Sequence, residues 1–198
     1  MMMTLSQQPA AGAVASPGAV LRAIVFSVLP SAALLLFSQY GGAQPLPALL
    51  LPLSLALAFA CGAALGRWRP LAQRPSLAAA RYGLLLGAAG LLWILLALHG
   101  GLAWTMLLPG AGVTGLGLGA AYQSQRAVAP PGQRAVSVRI AMALTCGAAL
   151  AATQWLQWQA APAGFNFALA LLVDMTLFGA LLARIVERDR ENDACRCG

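Results

Sequence analysis

All twelve basic residues of this chain are arginines, and they fall on one side of a membrane-spanning reading of the sequence. Six apolar stretches can be marked, at 21–40, 46–65, 82–99, 102–122, 136–157 and 165–186. The gaps at 41–45, 100–101 and 158–164 carry no charge. The remaining segments, with the span ends beside them, hold Arg22; then Arg67, Arg69, Arg74 and Arg81; then Arg126, Arg134 and Arg139; then Arg184, Arg188, Arg190 and Arg196. Arginine-bearing short loops stay on the cytoplasmic side. The pattern therefore predicts a multi-pass protein of the inner (plasma) membrane, all-α, with six transmembrane helices and both termini inside.

Composition agrees with that class. Hydrophobic residues make up 60% and charged residues 9%, against about 25% charged in a soluble domain. A formal charge of +7 would suit nucleic acid, but these arginines flank apolar spans and do not cluster on a soluble module. Nucleic acid is therefore excluded as a partner, and the lipid bilayer is expected as one, with anionic headgroups as secondary contacts. Aromatic residues mark the span ends. Tyr40, Trp104, Trp155, Trp158 and Phe165 map to outer ends, and Trp68, Tyr82 and Tyr122 to inner ends, at the headgroup depth that suits amphipathic rings. Only Trp93 reads as mid-span.

Three segments follow. Residues 1–20 are small, polar and rich in Pro and Gly, and read as a disordered cytoplasmic tail. Residues 21–186 form the six-helix transmembrane domain, with the first helix uncleaved, and 187–198 form a second cytoplasmic tail. The loop at 66–81 has room for a short surface helix, and Pro130-Pro131-Gly132 reads as a turn. The tight gap at Gly100-Gly101 splits the spans into two sets of three.

Glycine is dense in the fourth span. Gly110, Gly112 and Gly115 fit the spacing of a dinucleotide fingerprint. That fingerprint, however, requires a strand before it and a helix after it, and here it lies inside an apolar stretch. Close helix packing is the better reading. Gly115 and Gly119 make a small-xxx-small face, as do Gly62 with Gly66 and Gly83 with Gly87. With Gly110 and Pro109 they also make this the most bendable span, a gating helix or a plain kink.

Asp174 is the only acid within an apolar stretch, near its middle. A carboxylate at that depth costs several kcal/mol unless it is protonated, hydrated or paired, so it is a functional candidate by default. The alternative is a hydrogen bond that only joins helices. Gln39, Gln154, Asn166 and Thr153 could line the same polar path. Arg139, Cys146 and Thr153 share one face of the fifth span, where Arg139 can also snorkel to the cytoplasmic surface. Cys61 and Cys146 read as small hydrophobes, and Cys195 and Cys197 as thiols in a reducing compartment. No metal site, catalytic residue or cofactor is expected. The single histidine, His99, stands at a span end, and no nucleophile motif or zinc-binding motif occurs. The chain does not read as an enzyme.

From Phe26 to Trp155 the order of features resembles the C-terminal half of a major facilitator superfamily transporter of the drug:proton antiporter type. The likeness rests on Pro30, Gln39, Gly42, Gln44-Pro45-Leu46, Ala48 and Pro52, then on Gly66-Arg67, Arg69 and Arg74 in the basic loop. It continues through Leu107-Leu108-Pro109-Gly110, Gly115-Leu116-Gly117 and Gly119, Pro130-Pro131 with Gln133-Arg134-Ala135, and Gly147-Ala148-Ala149-Leu150. Thr145 and Ala148 stand where the family pattern has a glutamine and a second glycine, and the spacing from Pro45 to Pro52 is short.

The resemblance implies two three-helix inverted repeats, with substrate at the midplane between two six-helix halves. It further implies efflux of small amphipathic compounds in exchange for protons. A single half supplies one wall of such a cavity, so a second six-helix half or a homodimer would complete it. The other readings are a non-transporting structural or assembly protein, or a truncated, inactive fragment.

Overall fold

The structure is a computed structural model that describes residues 17–40, 45–67, 77–128, 147–148, 151–152, 154–155, 158 and 163–196. It is all-helical among these residues. Five α-helices run in chain order: α1 (Pro17–Tyr40), α2 (Pro45–Leu65), α3 (Leu77–His99), α4 (Leu107–Val128) and α5 (Ala163–Arg196), with a short 3₁₀ turn at Trp104–Met106. Four helical stretches, Gly18–Tyr40, Pro45–Leu65, Leu77–His99 and Gly164–Arg188, are long and apolar enough to cross a membrane.

The helix ends differ from hydropathy in physically simple ways. α1 takes in Pro17–Val20 from the expected tail, because proline suits the first helical position, where its missing N–H costs nothing. Pro45 opens α2 in the same manner. α3 starts at Leu77, ahead of the expected Tyr82, since Leu-Ala-Ala-Ala-Arg is a run of strong helix formers. α5 runs past Val186 to Arg196, taking in most of the expected C-terminal tail. Charged residues leave the apolar slab there, but nothing breaks the helix. Residues 1–16, the loop at 68–76 and the turn around Pro130 lie outside the described residues.

Pro30 and Pro52 lie inside α1 and α2. Each removes one backbone donor, leaving the carbonyls of Phe26 and Ala48 without their i+4 partner, which membrane helices tolerate. Pro109 sits in the first turn of α4, where no helical carbonyl waits for its N–H, so it is no kink site.

α3 ends in a Schellman motif. Gly101 has φ +63°, the Leu102 N–H donates to Ala97 O at 2.9 Å, and the Gly101 N–H donates to Leu98 O at 3.1 Å. The indole Nε1 of Trp93 donates to Met106 O at 2.8 Å, pinning α3 to the 3₁₀ turn. Trp93, read as mid-span, thus serves the hairpin.

α4 packs between α2 and α3; α5 packs against α3 and α1; α1 also meets α2 and α4. The core is built from Leu21, Val25, Leu35, Leu51, Leu55, Leu84, Leu91, Ile94, Leu107, Leu118, Leu169 and Leu172, all buried. The outward faces are apolar as well: Leu46, Leu49, Leu53 and Leu57 on α2, and Leu86, Leu92 and Leu96 on α3, are exposed. Apolar side chains on both the core and the outer surface are what a bilayer solvates, and water does not.

Candidate functional site

The glycines of α4 sort onto two faces. Toward α2, a Cβ placed on Gly115 would strike Leu55 O and lie 2.8 Å from Ala58 Cβ; one on Gly119 would strike Phe59 O and lie 2.8 Å from the Ala63 nitrogen. The α2 side answers in kind. A Cβ on Gly62 would strike Leu116 O, and one on Gly66 would lie 2.8 Å from Gln123 Cβ. Toward α3, Gly117 meets the backbone of Gly87 and Gly83, and a Cβ on Gly110 would lie 2.7 Å from Ile94 Cγ1. Gly90 lies against Gly110 and Thr114. Gly112 has nothing within 4 Å. Backbone approach this close leaves no room for a side chain and brings dispersion contacts to both flanks of α4.

Thr114 is fully buried at the α3 contact, and its hydroxyl lies 2.8 Å from Gly110 O and 3.5 Å from Gly87 O. The first contact satisfies the hydroxyl within its own helix, and the second reaches across to α3. Thr114, Gly90 and Gly117 were not marked as packing residues in the sequence. The signal was there, since Gly110 and Gly117 are seven apart and so share a face.

Tyr122 sits where α1, α2 and α4 meet. Its ring lies edge-on to Phe26 at 5.4 Å and tilted to Phe59 at 5.9 Å. At the same end, Arg81 of α3 and Glu187 of α5 form an ion pair at 3.3 Å.

Four of the five residues of the polar path expected from the sequence, Asp174, Gln39, Asn166 and Gln154, are among the described residues. Asp174 is exposed on α5, Gln39 is exposed at the end of α1, and Asn166 is half-buried near the start of α5. Gln154 is helical and exposed, and Thr153, Arg139 and Cys146 lie outside the described residues. Asp174 stands about 12 Å along the helix from Asn166, at 1.5 Å per residue. No hydrogen bond or ion pair joins any two of these side chains among the described residues. The neighbours of Asp174 on its face are Phe167, Leu171, Phe178 and Leu181, all exposed. Thr176 is buried, and its hydroxyl donates to Val173 O at 2.7 Å.

Chemically, the described part offers one midspan carboxylate on an outward apolar face and a tightly closed glycine interface. Among the described residues no group of His, Cys, Asp and Glu could hold a metal ion. Cys61 is a free, exposed thiol, and Cys197 lies outside the described residues. Comparison with protein-family models, curated proteins and solved structures finds no match.

Proposed function

We propose that the chain is one six-helix half of a proton-coupled exporter of small amphipathic compounds, seated in the inner (plasma) membrane with both termini in the cytoplasm. The fifth span is 136–157, and spans one to three and four to six form inverted repeats.

The observation that carries this reading is the neighbour pattern of the helices. An inverted repeat exchanges the first span with the fourth, the second with the fifth and the third with the sixth. Under that exchange, α3 against α4 becomes α5 against α1, and both pairs pack. The α1–α4 and α3–α5 pairs are their own images, and both pack. The two remaining contacts of α2, with α1 and α4, have images that involve the fifth span. One contact, α3 with α4, thus has a distinct image among the described helices, α5 with α1, as the exchange requires. Asp174, with Gln39, Asn166, Gln154 and Thr153, is the polar set that would face the second half. An outward carboxylate suits a wall that another half completes.

The test is dye efflux from cells lacking their own exporters, with the chain expressed alone and together with a six-helix half encoded beside it. Loss of efflux in Asp174→Asn, with the protein still folded, is the expected result. Absence of efflux under both conditions would overturn transport. The second reading, a non-transporting assembly protein, is favoured by the setting of Asp174 amid exposed Phe and Leu side chains.

A further inference from the structure

We infer that the outward face of α5 is a docking surface for a transmembrane helix of another protein, and that this helix carries a basic side chain at mid-bilayer depth. The inference does not depend on transport; it follows from where Asp174 stands. The face is formed by Phe167, Leu171, Asp174, Phe178, Leu181 and Ile185, all exposed. Five of these six are side chains that lipid tails would solvate without cost. The sixth is a carboxylate near the middle of a span, with no hydrogen bond or ion pair among the described residues, where hydrocarbon offers no donor. Intramembrane acids face a polar interior or pair with another group. Here the interior of the bundle is on the opposite side of the helix, where Leu169, Leu172 and Thr176 are buried.

Charge complementarity selects the occupant. Lipid tails supply no counter-charge and no donor. A second copy would bring a second carboxyl group to the first, so the pair would have to share one proton, and the other five residues of the face supply no cation for the charge that remains. Among the described residues, the basic side chains stand at other depths. Arg184 is about 15 Å along the same helix. Arg139, read from the sequence on the fifth span, lies outside the described residues. The described residues of that span, at 147–148, 151–152, 154–155 and 158, are all exposed. A neighbouring helix with Arg, Lys or protonated His at its centre meets every requirement. Its apolar flanks cover Phe167, Leu171, Phe178, Leu181 and Ile185, and its cation donates charge-assisted hydrogen bonds to the Asp174 carboxylate in a medium where such bonds are strong.

The test uses the full chain in phosphatidylcholine vesicles, with a donor dye at its C-terminus, and three acceptor-labelled single-span leucine–alanine peptides. Their central residue is Arg, Leu or Asp, so a peptide inserted in either orientation presents that residue at mid-depth. Energy transfer reports association. The Arg peptide is expected to bind at least about tenfold more tightly than the Leu peptide, the scale of one charge-assisted contact. Asp174→Leu should erase that preference without lowering the thermal midpoint of the chain. Should Asp174→Leu misfold, Leu171→Arg keeps the carboxylate, supplies a cation on the same face and should also erase the preference. Equal binding of the Arg and Leu peptides overturns the proposal, as does a preference that survives both variants. Energy transfer between two differently labelled copies of the chain that is lost in Asp174→Leu overturns it in favour of self-association.

Discussion

Arg81 and Glu187 stand more than a hundred positions apart in the chain, yet their side chains meet at 3.3 Å where α3 begins and α5 is leaving its apolar stretch. The contact puts the start of one span and the end of another at the same level. Both side chains are about a fifth exposed, at 22% and 23%. The pair is thus neither a freely solvated surface contact nor a fully desolvated one. Arg81 also lies over the Tyr82 ring at 4.7 Å, which holds the guanidinium in place.

Glu187→Gln should therefore lower stability by about 1 kcal/mol, between the values for exposed and buried pairs. The measurement is the midpoint of denaturant unfolding in detergent micelles. The charge-swapped double variant Arg81→Glu/Glu187→Arg should recover most of that loss. A swap no better than the single variants would show that the pair contributes nothing as a pair.

Topology is tested by reporter fusions. A fusion at Gly100 should report an external location, and fusions at Arg74, Gln133 and the C-terminus a cytoplasmic one. Cytoplasmic signal at Gly100 would leave the arginine pattern without its membrane explanation.

The glycines of α4 divide by position. Gly119→Leu should cost more than about 3 kcal/mol, because a branched side chain must displace the Phe59 carbonyl and the α2 backbone around it. Gly115→Leu should be as severe, for the same reason at Leu55. Gly112→Ala should be neutral or gain up to about 1 kcal/mol from helix propensity, since nothing lies within 4 Å. Expression and thermal stability of the three variants give the ranking. Equal tolerance at Gly112 and Gly119 would contradict the packing.

Trp93→Phe removes the donor that binds Met106 O while keeping an aromatic ring. It should cost about 1 kcal/mol and speed amide exchange at the 3₁₀ turn, with little change at the far end of the bundle. Hydrogen exchange read by mass spectrometry checks both halves of that expectation.

Much of this architecture was legible because membrane spans announce themselves by length and apolarity. The cores of α1, α2, α3 and α5 coincide with stretches marked by hydropathy alone. Their ends were less legible. Hydropathy falls where the chain leaves the apolar slab, whereas a helix stops only where backbone geometry or sequence stops it. Thus Leu77–Arg81 and Glu187–Arg196 continue as helix in polar surroundings. Pairing within the bundle was hardest to see. Glycine spacing marks which residues share a face, and it does not say that Gly115 meets Leu55 while Gly117 meets Gly87. The outward position of Asp174 was also invisible, because apolar residues surround it on every side of the helical wheel and no amphipathic pattern gives its direction.

The same glycines that let α4 fit between its neighbours leave it poor in hydrocarbon. Leu107–Val128 is long enough to cross a membrane, and yet it is not among the four helices whose apolarity alone qualifies them. During synthesis, such a segment gains less from lipid than α2 or α3 does. The close backbone contacts it makes with α2 and α3, which emerge first, offset part of that difference. The order of the spans in the chain then has a use. A helix with less lipid affinity of its own is made immediately after the helices that receive it.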